Sequence, residues 1–438
     1  MTVMIESSIA EETEASTAAD QALPVRWYVL ALLVLVSACS AVDRNLLPIL
    51  AEPIKHELGL SDGQIGILAG AVYAISFSIV GLPLGFLIDR ANRVQLLATL
   101  VAIWSALTAM SGLASSYLML MLARAGVGGA ESGAPALAMS LLTDYFPSKR
   151  RGTALGWYYA SSPIGLALGF ALGGMIAAHL DWRAAFFVVG APGLILTLLC
   201  FLTVPEPVRG AFDRRAVEAR QRSSVGSVLA LVWRRKELLF LILGGVMVII
   251  AWSGIVAFLG AYLIRVQHLP IGSGGVMIAA TLGTTGLIGM PLGGMVADRL
   301  ARKSERLMLL VTALMLVLTT LCVAAAFFVP DLVLCLVLVG VVSTFTSLAY
   351  GPTFRTYLNS SPASMRGAMG ALLIVAMNLV GYGVGPTVSG LLSDLLRAHA
   401  FGEPLRLALM IMGGFYTVGA IAFVAAGYFL PKPQSERS

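Results

Sequence analysis

The sequence predicts an all-α polytopic membrane protein, with twelve transmembrane helices in two pseudo-symmetric six-helix bundles. Three observations predict it. Of 438 residues, 58% are hydrophobic and 12% charged, where globular proteins carry about one quarter charged residues. The apolar residues gather into a train of runs, each near the ~20 residues that a spanning helix requires. One long charged connector, residues 205–236, then divides the train into six runs and six.

Residues 1–25 hold Glu6, Glu11, Glu12, Glu14 and Asp20 and almost nothing to bury, so they read as a disordered cytoplasmic tail. They lack the basic start and short apolar core of a secretory signal. An N-terminal bundle, 26–204, holds spans near 27–50, 63–88, 94–114, 117–145, 151–178 and 184–204. A C-terminal bundle, 237–430, holds spans near 237–264, 273–298, 306–328, 332–357, 366–394 and 405–430, before a cytoplasmic tail at 431–438. The connector carries Asp213, Arg214, Arg215, Arg220, Arg222, Arg234, Arg235 and Lys236. It reads as a cytoplasmic linker with an amphipathic part on the inner leaflet, where each basic residue gains about 1 kcal/mol from anionic lipid. On the same side lie Arg90, Arg93, Lys149, Arg150, Arg151, Arg299, Arg302, Lys303 and Arg306. The opposite side has chiefly Lys55, Arg183, Arg265, Arg397 and Arg406. Short cytoplasmic loops are the ones enriched in Lys and Arg, which places both termini in the cytoplasm and the chain in a plasma membrane, the inner membrane of a bacterium.

Composition also excludes function classes. The pI near 9.2 does not imply a nucleic-acid partner, because the basic residues are scattered over loops and form no patch on a soluble face. Cys39, Cys200, Cys322 and Cys335 each lie in an apolar segment with no close pairing, so neither a disulfide framework nor a zinc site is indicated. No phosphate-cradling Gly-x-x-x-x-Gly-Lys-Ser/Thr stretch occurs, which argues against ATP-driven pumping and leaves a gradient to supply the work. His56, His179, His268 and His399 fall in outer loops beside no buried Ser or Cys, so an intramembrane lipid enzyme is disfavoured and no cofactor or metal is implied.

Charges inside the spans are the candidate functional residues, since each costs roughly 2.5–3.5 kcal/mol at mid-membrane and usually marks a substrate or ion pathway. Asp43 and Arg44 sit near the outer end of the first span; the alternative is a local ion pair sealing a helix end. In the fourth span Arg124, Gly128 and Glu131 share one helical face. Arg124 and Glu131 stand roughly 10 Å apart along the axis, too far for a direct pair, so each needs a partner elsewhere. Arg124 reads equally as a substrate contact or as a donor to backbone carbonyls. Glu131 has no base one turn away, and a lone intramembrane carboxyl of this kind can load and release a proton. In the second half, Ser343, Thr344, Thr346, Ser347, Tyr350, Asn378 and the marginal Arg355 are the polar candidates, Tyr350 and Asn378 foremost for substrate. Such Ser and Thr also serve to satisfy helix backbone. Charge on one wall and apolar surface on the other suits an amphiphile.

The halves repeat each other. Gly85-Phe86-Leu87-Ile88-Asp89-Arg90, followed by Arg93, closes the second span, and Gly294-Met295-Val296-Ala297-Asp298-Arg299, followed by Arg302-Lys303, closes the eighth. Gly165, Gly169 and Gly174 recur as Gly381, Gly385 and Gly390 at one offset. Duplication of a six-helix unit is the pattern of a transporter with its site at the repeat interface. With these motifs the chain resembles the major facilitator superfamily, whose loop signature is Gly-x-Leu-Ala-Asp-Arg-x-Gly-Arg-Lys; the first copy departs from it at Asn92 and Val94. The resemblance implies the major facilitator fold and a conformational latch at Asp89, Arg90 and Arg93, and at Asp298, Arg299 and Arg302. In it Asp89 meets the start of the eleventh span and Asp298 the start of the fifth, each carboxylate stabilised by a helix N-terminus.

A narrower resemblance rests on Asp43-Arg44, on Arg124-Ala125-Gly126-Val127-Gly128-Gly129-Ala130-Glu131, on Asp144-Tyr145-Phe146-Pro147 and on Trp157-Tyr158-Tyr159-Ala160-Ser161-Ser162-Pro163-Ile164-Gly165. These look like the Spinster family, whose animal members export sphingosine-1-phosphate or move lysophospholipids. The resemblance implies Asp43 and Glu131 as protonatable acids, and Arg44 and Arg124 as anion contacts. The expected function is a proton-coupled secondary active transporter of an amphipathic, anionic, lipid-like substrate, a monomer whose partners are that substrate, protons and membrane lipids. The alternatives are a proton-coupled drug or organic-anion porter and, further off, a channel or sensor.

Overall fold

The computed structural model describes residues 23–88, 90–209 and 225–431, and it is built almost wholly of helices. Eleven helices among the described residues are long and apolar enough to cross a membrane. The fourth span completes the twelve, but as two pieces, Tyr117–Glu131 and Ala134–Tyr145. The sequence reads as one run there. Pro135 explains the break, because proline lacks an N–H and its ring collides with the carbonyl four residues earlier, here that of Glu131. Ser132 covers the interruption by donating its hydroxyl to Gly129 O at 2.6 Å.

Several spans begin where a side chain can take up orphaned backbone N–H groups, a contact worth about 0.5–2 kcal/mol. Ser116, Asp181, Ser304 and Asp331 cap the fourth, sixth, ninth and tenth spans in this way. Ser61 forms a reciprocal capping box with Gln64 at the head of the second. The first span starts at Leu23 and runs to Leu58, well past the apolar stretch, carrying Pro48 and Pro53 within it. A short helix, Val225–Arg234, precedes the seventh span, with Val228 and Val232 buried and Leu229 and Trp233 exposed. The eleventh span is interrupted by a π-helical turn at Met377–Tyr382, between Arg366–Ala376 and Gly383–Ala398.

The repeated glycines show the pseudo-symmetry in contacts. In the fifth span, a Cβ at Gly165 or Gly169 would meet the first span, at Ala38 and Val42. In the eleventh, a Cβ at Gly381 or Gly385 would meet the seventh span, at Ile249 and Ser253. The third member of each set turns to the other half: Gly174 lies against Ile271 and Gly275 of the eighth span, and Gly390 against Asp62 and Gly63 of the second. Close backbone approach is how helices associate in lipid, where apolar side chains alone give no net drive. The two bundles therefore meet along second–eleventh and fifth–eighth seams, and the first and seventh spans also touch, Gly260 against Pro48 and Ile49.

Candidate functional site

The four intramembrane charges of the first half form two groups at different depths. Arg124 donates from Nη1 to both oxygens of Asp43, at 3.2 and 3.0 Å. Each of the two is 2% exposed. Glu131, equally buried, accepts from the Tyr73 hydroxyl at 2.6 Å and lies 3.7 Å from Arg44 Nε. Its Oε1 has no hydrogen-bond partner among the described residues. The seven-residue spacing of Arg124 and Glu131 is what separates the groups, by roughly 10 Å of helix rise.

Arg44 differs from its neighbours. Its side chain is 42% exposed, held loosely by Ser40 O at 3.5 Å and Ser40 Oγ at 3.4 Å. The space it faces is not lipid, for Tyr73 of the second span, Tyr158 of the fifth and Tyr382 of the eleventh all lie within its electrostatic reach. Arg44 thus stands in an interior space walled by both bundles. On the far wall Tyr350 lies beside Tyr382 and stacks on Phe354, centroids 6.5 Å apart and planes 8° from parallel. Asn378, in the π-helical turn, donates to Ile374 O at 2.9 Å.

Several expected contacts take another form. Arg124 does not reach the interior space: both Asp43 oxygens hold it, and of these two cations Arg44 is the exposed one. Ser343 bonds Thr285 at 2.8 Å and Thr346 bonds Tyr416 at 2.8 Å, while Thr344 and Ser347 donate to carbonyls of their own helix. These hydroxyls satisfy helix backbone and neighbouring helices. Tyr73 and Tyr382 are additions that nothing in the apolar runs around them singles out.

The latch residues are likewise arranged differently from expectation. Asp298 pairs with Arg355 of its own half, and the start of the fifth span is not its partner. Arg151 at that start donates instead to Phe146 O and Thr143 O. Arg90, Arg299 and Arg302 are exposed, and Asp89 lies outside the described residues. Arg93 is 1% exposed and is fixed by Asp144, by Glu206 Oε1 at 2.7 Å, by Ser140 Oγ at 2.9 Å and by Pro207 O at 2.9 Å. It ties the third span to the fourth and to the chain leaving the sixth. Arg93→Ala leaves two carboxylates without their cation, and breaking a buried pair from one side costs about 3–5 kcal/mol. Its thermal midpoint is expected to fall by several degrees, read by intrinsic fluorescence on the purified protein.

Among the described residues, ion pairs join the halves only at the opposite end. Asp62, 0% exposed, receives Lys55 Nζ at 2.6 Å from its own half, and Arg265 Nη1 and Nη2 at 2.8 and 2.7 Å from the other. Arg397 Nη2 at 2.9 Å and Ser393 Oγ at 2.7 Å complete its shell. Arg265 also pairs with Glu52. Asp394 accepts from the backbone N–H groups of Asp62 and Gly63, at 3.1 and 2.7 Å, so a carboxylate of one half caps a helix of the other. A carboxylate at that position is favoured by the helix dipole. This end is sealed, and its cations are among those that the sequence places outside the membrane.

Duplicated six-helix bundles, glycine seams and interior charges together define a polytopic transporter fold. The chain belongs to the major facilitator superfamily, whose family match runs over residues 33–380. It is 30% identical over 399 residues to an MFS-type efflux pump of Mycolicibacterium smegmatis, covering 91% of each chain. It is 26% identical to a sphingosine-1-phosphate transporter of Danio rerio, covering 86% of this chain and 79% of that one. The fold superposes on a bacterial homologue of the human lysosomal transporter Spinster, in an inward-facing and unoccupied conformation, with a TM-score of 0.82 and 25% identity over 93% of this chain and 98% of that one. The protein is a multi-pass membrane transporter that resembles the Spinster family.

Proposed function

We propose that the protein is a proton-coupled secondary active transporter for an amphipathic, anionic, lipid-like substrate of the sphingoid-phosphate or lysophospholipid type. One observation carries this reading: Arg44, half-exposed to the interior, has Glu131 as its one ion-pair partner among the described residues, while Asp43 is paired with Arg124. A proton on Glu131 removes the charge opposite Arg44, and an anionic headgroup takes that place. Loss of the proton restores the internal pair and expels the anion. Proton and anion are then linked reciprocally, each raising the other's affinity. Tyr350 and Phe354 on the facing wall, with Asn378 of the π-helical turn, are proposed to receive the less charged part of the substrate.

The halves, 26–204 and 237–430, are proposed to rock against each other about this site, as a monomer with both termini cytoplasmic. In this conformation the Asp62 end is the closed outer gate, and access is from the cytoplasm. One proton moving through 100 mV releases about 2.3 kcal/mol, enough to bias a state equilibrium near 50-fold. The efflux pump of Mycolicibacterium smegmatis supports a second reading, a proton-coupled drug or organic-anion porter. Proteoliposome uptake of lysolipids and sphingoid phosphates against common drugs, with and without a pH gradient, separates the two. Uphill lipid movement that a protonophore collapses is the expected result; drug flux without lipid flux would replace the lipid reading.

A further inference from the structure

The ninth span (Glu305–Phe328) and the final helix of the twelfth (Gly414–Phe429) leave an apolar groove between them on the outside of the second bundle. Its volume is about 550 Å³ and its walls include Leu310, Leu314, Val317, Ile421, Val424 and Tyr428, all well exposed. That volume is in the usual range of small-molecule sites, roughly 300–1,000 Å³. One end of the groove is charged. Phe429, which closes it, stacks on Phe240 at 5.7 Å and lies 5.1 Å beneath the Lys236 ammonium. Arg306, one turn before Leu310, donates Nη2 to Leu430 O at 2.6 Å, and its buried Nε has no hydrogen-bond partner among the described residues. The carboxylates nearest in sequence are turned elsewhere: Glu237 lies 3.9 Å from Arg235 Nη1, and Glu305 accepts from Asn359 at 3.1 Å.

We propose that this groove binds one membrane phospholipid with an anionic headgroup, an acyl chain lying along the two helices and the phosphate at Lys236 and Arg306. The charge pattern selects the occupant. A transmembrane groove is bathed in acyl chains, and two cations at its polar end, neither paired with a carboxylate among the described residues, favour a lipid that brings the missing anion. A second copy of the chain seated on this face would bring an apolar strip without that countercharge. The site lies outside the interior space between the bundles, so it holds a bound lipid and does not depend on the transport reading.

The test is native mass spectrometry of the full chain, stripped of lipid in detergent and titrated with phosphatidylglycerol or phosphatidylcholine of identical acyl chains. The wild type is expected to retain one phosphatidylglycerol with a preference of roughly 25-fold, each cation supplying about fivefold. Lys236→Gln, at an exposed position, should lower that preference about fivefold by the same increment. Ala425→Phe should fill the groove and reduce retention of both lipids, and Tyr428→Ala, which removes a wall without adding bulk, should weaken retention and keep the preference. Lys149→Gln with Arg150→Gln, which removes two cations elsewhere, should change nothing. Equal retention of both lipids, an unaltered preference in Lys236→Gln, unchanged retention in Ala425→Phe, an equal loss in the Lys149 and Arg150 variant, or the mass of a second chain in place of lipid would each overturn the proposal.

Discussion

Glu131→Gln is expected to abolish uphill transport driven by a pH gradient while leaving energy-independent exchange of substrate intact. In the wild type a gradient of 100 mV sustains an accumulation ratio near 50-fold for one coupled proton; in the variant the ratio falls to unity. The cause is local. Gln keeps the shape of Glu131 and its contact with Tyr73, but it carries no charge to oppose Arg44, so that cation remains available to an anion at every pH. Substrate affinity should therefore weaken as pH rises in the wild type, by about 5–150-fold if the linkage is of ordinary size, and stay flat and tight in the variant. Binding isotherms measured across pH on both proteins check this. Parallel pH dependence in the two would remove Glu131 from the coupling step.

The second large effect is expected at the sealed end. Asp62→Asn removes the one buried acid shared by Lys55, Arg265 and Arg397. Three cations then face a neutral amide, with Glu52 still beside Arg265, and loss of one partner from a buried ionic group costs about 3–5 kcal/mol. Because Arg265 and Arg397 come from the other half, that cost falls on the closed arrangement of this end and is relieved when the halves part. The ratio of open to closed should shift by roughly 100-fold or more. Spin labels at Leu180 and Phe401, exposed residues in loops of the two halves at this end, would report it as a longer inter-label distance. An unchanged distance distribution in Asp62→Asn would mean that the glycine seams hold this end without the ionic cluster.

Much of the fold was legible in the chain because lipid imposes it. Length and hydropathy mark each span, and the glycines that recur at one offset proved to be the residues on which the fifth and eleventh spans pack. The break in the fourth span carried a signal, Pro135, that periodicity alone passes over. The interior acids and bases were also legible, since a charge in an apolar run is conspicuous and the spacing of Arg124 and Glu131 forbids their pairing. What it did not reveal was which cation each acid takes. Asp43 and Arg44 are adjacent in sequence, yet they point to different partners because successive residues on a helix are about 100° apart. Tyr73 looks like any aromatic in an apolar span until Glu131 is placed beside it. The sealed end was the largest omission. Asp62 and Arg265 are 203 residues apart, and Asp62 and Arg397 335, and as loop charges each is unremarkable until the two bundles are brought together. Asp298, by contrast, has a partner in Arg355, from its own half, that the motif did not suggest.

The π-helical turn at Met377–Tyr382 sets the angular phase of everything that follows it in the eleventh span. A turn of this kind holds one residue more than its α-helical neighbours, so an ordinary turn of one residue fewer would advance the remainder by about 100° around the axis. Gly381 uses its carbonyl here to receive the Ser253 hydroxyl at 3.0 Å, which pins the widened turn to the seventh span. Downstream, Pro386, Gly390, Ser393, Asp394 and Arg397 all face the second span at this phase. The side chains that join the two halves at the Asp62 end are thus aimed by a winding irregularity some distance from them, and a slip in that winding would swing the whole row off its target with every one of those residues still present.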